Sequence, residues 1–271
     1  MTSEPLLSVR DLVVQFPRKG LRARPFQALR GVSVDIQPRE TLGLVGESGS
    51  GKTTLGRAIL GLVPVASGSV VFDGRDITRL PARGRRALSR DVQVVFQDPF
   101  TSLNPAMTIG DILSEPLLAQ GFSKQDAHGR IGDLLEQVRL PVTAVRRYPR
   151  EFSGGQRQRI AIARALALEP RLIVCDEPVS ALDLSTQARV LELLIEIQET
   201  TGVAYLFVSH DLTVVRHISH RVAVMHRGEI VEQGDGATVT ANPTHPYTQR
   251  LLMAAPVADP RRQALRRQEW L

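Results

Sequence analysis

Short apolar runs bounded by polar or glycine-rich turns recur along this chain, with helical stretches between them. Residues 6–36 alternate apolar and polar positions, as half-buried strands do, around a basic loop at 18–24. Residues 41–45, TLGLV, predict a short buried strand, followed by a helix over 53–62. Residues 70–72 and 92–96 predict further strands. Residues 172–175 and 203–208 are apolar runs of strand length, suited to burial in a parallel sheet. Between 98 and 149 the texture changes. Pro99, Pro105, Pro116, Pro141 and Pro149 punctuate amphipathic pieces such as 131–138, which predicts a helical insertion. After Gly234 the chain reads as Pro-rich and irregular, ending in a basic helical tail. Strands alternating with helices predict an α/β fold with a mainly parallel sheet.

One predicted helix poses a question. EFSGGQRQRIAIARALA, residues 151–167, is a sound helix after Gln156, yet it opens on Gly154 and Gly155. A helical glycine costs about 1 kcal/mol relative to alanine. Ser153 as N-cap with Gln156 three residues on makes a capping box, which accounts for those two residues only. Paired glycines at a helix N-terminus suit close approach to bare backbone, and the exposed N–H groups favour an anion.

Composition narrows the setting. The chain has 271 residues, 42% hydrophobic and 23% charged, so it is globular and can bury a core by itself. No apolar run approaches the ~20 residues that span a bilayer, and no basic start with an apolar core marks a signal peptide. Cys175 is the only cysteine, which excludes an internal disulfide or cysteine-held cluster and suits a reducing, cytoplasmic setting. Net charge is +6, with Arg83, Arg85, Arg86 and Arg90 in one cluster and Arg261, Arg262, Arg266 and Arg267 in another. Such clusters serve nucleic acid or anionic lipid, or are simply solvated faces. Aromatic residues, at 4%, are too few for a base-stacking platform.

The candidate chemistry begins at Gly46-Glu47-Ser48-Gly49-Ser50-Gly51-Lys52-Thr53, with Thr54 next. It fits G-x-x-x-x-G-K-[ST] between a predicted strand and a predicted helix, the context in which this loop cradles phosphates. Its N–H groups form an anion cradle, Lys52 reaches the β- and γ-phosphates, and Thr53 offers a hydroxyl to Mg²⁺. Asp176 and Glu177 end the run at 172–175. Adjacent carboxylates at a buried strand tip are costly unless a cation or a reaction uses them. Asp176 is the Mg²⁺ partner and Glu177 the group that orients or deprotonates the attacking water. His210 and Gln97 also follow predicted strands, where ligands of open α/β sheets collect.

Together with Ser153-Gly154-Gly155-Gln156 and Ser180-Ala181-Leu182-Asp183, these residues resemble, in that order, the ATPase domain of ABC proteins. The resemblance covers about 6–234 and rests most specifically on SGGQ. It implies an ABC-type P-loop NTPase: a mainly parallel sheet core, antiparallel N-terminal strands and a helical subdomain at roughly 98–165 within an ATPase domain at 1–234. Residues 235–271 form an extension. The resemblance also implies a head-to-tail pair of ATPase domains, with SGGQ meeting the γ-phosphate of ATP held by the partner. Phe16 matches the aromatic that stacks on adenine, where tyrosine is commoner. Ser180 to Asp183 matches the loop coupling the two sites, His210 the γ-phosphate contact, and Gln97 the Mg²⁺ and water sensor. Phe152 replaces the commonest leucine.

FQDPFTSLNPAMTIGDIL from Phe96 and NPTHPYTQRLLMAAP from Asn242 are similar to the oligopeptide/dipeptide importer group. That similarity implies ATP and Mg²⁺ as ligands. It also implies a related, non-identical second ATPase subunit, two permeases contacting residues 100–118, and indirectly an extracytoplasmic solute-binding protein. The chain would lie on the cytoplasmic face of the inner membrane, with no nucleic acid as partner. The alternatives are a soluble ABC ATPase acting on nucleic acid or ribosomes, and a regulatory ATP-binding partner with little turnover.

Overall fold

The computed structural model describes residues 4–17 and 25–254. The basic loop at 18–24 and the arginine cluster at 261–267 lie outside them. The chain runs β1 (Leu7–Phe16), β2 (Phe26–Ile36), β3 (Thr41–Val45), α1 (Lys52–Ile59), β4 (Ser67–Phe72), β5 (Arg75–Asp76), α2 (Ala82–Leu88) and β6 (Val92–Val95). The helices α3 (Pro99–Ser102), α4 (Ile109–Ala119), α5 (Lys124–Gln137) and α6 (Gly154–Leu166) follow. Then come β7 (Leu172–Asp176), α7 (Leu184–Thr201), β8 (Ala204–Ser209), α8 (Leu212–Ile218), β9 (Arg221–His226) and β10 (Glu229–Asp235). Two short helices, α9 (Gly236–Ala241) and α10 (Pro246–Ala254), are the last elements of the described residues.

Two sheets form. One is antiparallel, in the order β2-β1-β4-β5; the other runs β10-β9-β3-β8-β7-β6. In the second, β9, β3, β8, β7 and β6 pair in parallel and only β10 is antiparallel. β3 and β8 are buried at every residue, as expected of strands covered on both faces. The period of two splits them between two cores. Leu172, Val174, Leu206 and Val208 face α1 and the antiparallel sheet. Ile173, Cys175, Tyr205 and Phe207 face a second cluster shared with α4 to α8.

The insertion is helical, as expected, and its core residues Ile112, Leu113, Ile131 and Leu135 belong to that second cluster. Thr108 begins α4 with a capping box, and the Ser123 side chain caps α5.

The structure corrects the reading of the region after Gly234, whose described part is two helices. The Asp235 side chain accepts the Thr238 N–H and caps α9. The Glu232 carboxylate accepts the N–H groups of Thr244 and His245, ahead of α10. Val239 and Tyr247 join the core. The sequence from 255 onward lies outside the described residues.

Candidate nucleotide-binding site

Residues 46–51 turn the chain from buried β3 into α1. Gly51 has φ 115°, and a Cβ there would lie 2.9 Å from the Ala28 carbonyl oxygen, so glycine lets the loop run this close to β2. Lys52 is buried, and its Nζ donates to the carbonyls of Gly46 at 2.7 Å and Glu47 at 2.9 Å. An ammonium has three donors, so one remains for an anion in the loop. Burial pushes Lys52 below the ordinary lysine value, with Glu177, Asp176 and Glu47 opposing.

Thr53 Oγ1 donates to Asp176 Oδ1 at 3.0 Å. Burial raises the Asp176 carboxyl above its ordinary value, and the Thr53 hydrogen bond opposes this. A hydroxyl beside one carboxylate fits Mg²⁺, which keeps several waters and takes its other ligands from substrate phosphates. Among the described residues, no cluster of three or more His, Cys, Asp or Glu is arranged to cage a metal ion.

Glu177 follows β7 with φ 49°, in the left-handed region. A non-glycine residue held there marks strain, which concentrates at functional sites. Its N–H donates to the Val208 carbonyl at 3.0 Å. Its Oε2 lies 3.2 Å from His210 Nδ1 and accepts from Gln97 Nε2 at 3.3 Å. Gln97 is therefore brought to Glu177.

The loop, Gln97, Glu177 and His210 follow β3, β6, β7 and β8, at the carboxyl ends of parallel strands. They open on one cleft of about 760 Å³. Its wall takes Glu47, Ser48, Gly49, Gly51, Lys52, Thr53, Thr54 and Phe16. Gly46 and Ser50 lie outside the lining, Gly46 backing onto the Met225 carbonyl and Ser50 buried. Phe26, Ala28 and Leu251 complete it and were not anticipated. Phe26 is the register partner of Phe16 across β1 and β2, a relation that local sequence does not show.

The SGGQ segment does not line this cleft. Its capping box is present: Gln156 N–H donates to Ser153 Oγ at 3.3 Å, and Ser153 N–H to Gln156 Oε1 at 3.0 Å. Gly155 has a reason within the chain, since a Cβ there would overlap Thr186 Cγ2. Gly154 has room, its nearest atom being Leu182 Cδ2 at 3.6 Å. In the neighbouring loop Ser180 Oγ donates to the Glu177 carbonyl at 3.0 Å. The Asp183 side chain caps α7, where hydrogen bonds from Ser185 and Thr186 hold it well below the usual carboxylate range.

Residues 29–180 match the family model described as ABC transporter. The chain belongs to the ABC transporter family. It is 54% identical over 265 residues to the glutathione import ATP-binding protein GsiA of Escherichia coli (strain K12), covering 96% of this chain and 42% of that protein. The GsiA of Salmonella typhi is 52% identical over 269 residues, covering 97% and 43%. The chain thus spans less than half the length of these curated relatives. Among solved structures, cbiO1 from Clostridium perfringens, part of the ABC transporter complex cbiONQ, superposes with TM-score 0.78 at 27% identity, covering 89% of this chain and 92% of that one. The ATP-binding cassette MJ0796, in a dimeric post-hydrolysis state bound to ADP and Pi, gives TM-score 0.75 at 29% identity, covering 84% and 98%.

Proposed function

We propose that this chain is the ATP-binding and ATP-hydrolysing subunit of a membrane importer for di- or oligopeptides or a related small solute. The observation that carries the reading is the convergence of the phosphate loop, Gln97, Glu177 and His210 on one cleft. ATP lies there with its phosphates in the loop and its base toward Phe16. Loop N–H groups and Lys52 neutralise phosphate charge, and fixed donors of this kind stabilise charge that grows in the transition state. Glu177 takes the proton of the attacking water, and His210 and Gln97 hold its carboxylate in place. Thr53 and Asp176 would hold Mg²⁺, which when bound offsets the negative charge of the β- and γ-phosphates.

The site is completed by a second ATPase domain, read as a related, non-identical one. SGGQ stands away from the chain's own cleft, which supports its acting on ATP held by the partner. Leu184, beside the Asp183 cap, is 85% exposed, and an apolar side chain so placed suits a covered surface. Closure of the pair on ATP and reopening after hydrolysis drive two permeases through residues 100–118. The solute is delivered by an extracytoplasmic binding protein. Among the described residues no helix is long and apolar enough to cross a membrane, which fits a peripheral subunit on the cytoplasmic face of the inner membrane.

The nucleic-acid alternative loses support. In the first basic cluster Arg85 donates to the Thr78 carbonyl at 3.1 Å and Arg86 to the Ala119 carbonyl at 3.2 Å, so both serve the fold. Affinity purification from gently solubilised membranes tests the reading. Two permeases and a second ATPase domain are the expected companions; ribosomes or DNA at physiological salt would overturn it.

A further inference from the structure

The phosphate loop is held from outside by the C-terminal segment. Tyr247 of α10 is 3% exposed, and its hydroxyl accepts the Glu47 N–H at 3.0 Å. Glu47 is the loop residue whose carbonyl receives the Lys52 ammonium. A second tie comes from the turn between β9 and β10, where the Gly228 N–H donates to the Ser50 carbonyl at 2.8 Å. Without the Tyr247 hydroxyl the Glu47 N–H would lose this bond, leaving the Lys52 and Ser50 bonds to the Glu47 carbonyl as the ties on that residue.

The placement of Tyr247 is itself built. Its ring lies on that of His226, at the end of β9, with centroids 3.9 Å apart. The start of α10 is anchored by Glu232, which accepts the Thr244 N–H at 2.7 Å, the Thr244 hydroxyl at 2.9 Å and the His245 N–H at 3.2 Å. Leu251, one helical turn beyond Tyr247, lines the nucleotide cleft. One short helix therefore touches both the backbone of the loop and the wall of the cleft.

We propose that Tyr247 is a positioning residue for the nucleotide. By accepting the Glu47 N–H it holds the phosphate loop in the form in which Lys52 meets the phosphates, and α10 is thereby part of the ATP site. The proposal rests on reading residues 46–53 as the phosphate loop. It makes ATP affinity depend on how firmly the C-terminal segment is docked.

The test is equilibrium titration of the purified full chain with Mg·ATP, alongside its melting temperature without nucleotide. Tyr247→Phe deletes the hydroxyl and keeps the ring on His226. Its Kd for ATP should rise about three- to tenfold, the equivalent of one neutral hydrogen bond, and the melting temperature should fall by no more than the few degrees that losing one such bond costs. In steady-state hydrolysis by the assembled complex, KM should rise in the same proportion while kcat holds. Glu232→Gln should move the Kd in the same direction, and it decides the matter if Tyr247→Phe folds poorly. A lowered melting temperature with unchanged Kd would mean a purely structural tyrosine and overturn the proposal. Lys52→Ala separates the two levels. If Lys52→Ala loses ATP while both other variants bind normally, the phosphate-loop reading stands and the proposal falls. If Lys52→Ala binds normally, the phosphate-loop reading falls and takes the proposal with it.

Discussion

His210 Nδ1 lies 3.2 Å from Glu177 Oε2, although 33 residues separate the two in the chain. The parallel pairing of β7 with β8 brings them together, since each residue follows the end of one of those strands. The carboxylate is held by a ring and an amide rather than left to rotate, which suits the general-base role proposed for it. Glu177→Gln keeps the shape and the hydrogen-bonding reach but cannot take a proton. Phosphate release by the assembled complex should fall by about 10²-fold or more, while ATP binding is retained. An unchanged rate would remove Glu177 from the base role.

Lys52 spends two donors on the Gly46 and Glu47 carbonyls, which leaves its third donor for an anion in the loop. A hydrogen bond to a charged group is worth about 1.5–3 kcal/mol. Lys52→Ala should therefore weaken ATP binding by at least about tenfold, read by calorimetry or a fluorescent nucleotide. Retained affinity would count against the loop assignment.

The two signature glycines should behave differently. Gly155→Ala drives a methyl group into Thr186 Cγ2, and overpacking of this kind costs about 1–3 kcal/mol in chemical denaturation. Thr186→Ser removes the obstructing methyl, keeps the hydroxyl that donates to Asp183 at 2.7 Å, and should recover most of that loss. Gly154→Asp has space within its own chain, so folding and ATP binding should survive. ATP-driven association of two ATPase domains should be lost, because a carboxylate then faces the partner's phosphate. Normal association in that variant would refute the trans role of the signature.

Burial pushes Glu232 up, but hydrogen bonding from Thr248, Thr244 and His245 outweighs it and holds the carboxyl below its ordinary value. The unfolded chain carries an ordinary glutamate, near pKa ~4.3. The stabilisation is thus fully present above about pH 4.3 and is lost as pH falls through the depressed folded value. Glu232→Gln should flatten the acid side of the stability–pH curve; an unaltered acid limb would show that Glu232 does not anchor α10.

Cys175 is fully buried beside Asp176, and burial pushes its thiol far above the ordinary cysteine value. The thiolate is the reactive form, so a disulfide reagent should titrate no thiol in the folded chain and one after denaturation. Rapid reaction in native buffer would contradict the buried position of β7.

The strands at the centre of the molecule were legible because continuous apolar runs identify them without a partner. Residues 41–45 and 172–175 fall on β3 and β7, and 203–208 on β8. The loop that turns β3 into α1 and the SGGQ cap were legible for a related reason, since glycine and capping side chains act on neighbours in sequence. Strand β9 and helices α9 and α10 were not. Their stability comes from contacts made at a distance, such as Glu232 with Thr244 or β9 with β3.

The sequence by itself determined the glycine-rich loop between β3 and α1 and placed Gln97, Glu177 and His210 at strand ends, because those features are local backbone chemistry. Only the tertiary structure decided that Phe26 faces the cleft beside Phe16, that Thr186 requires a glycine at 155, and that Tyr247 reaches back 200 residues to hold Glu47. These relations depend on strand register and helix docking, which are set by the sum of many weak packing contacts across the fold.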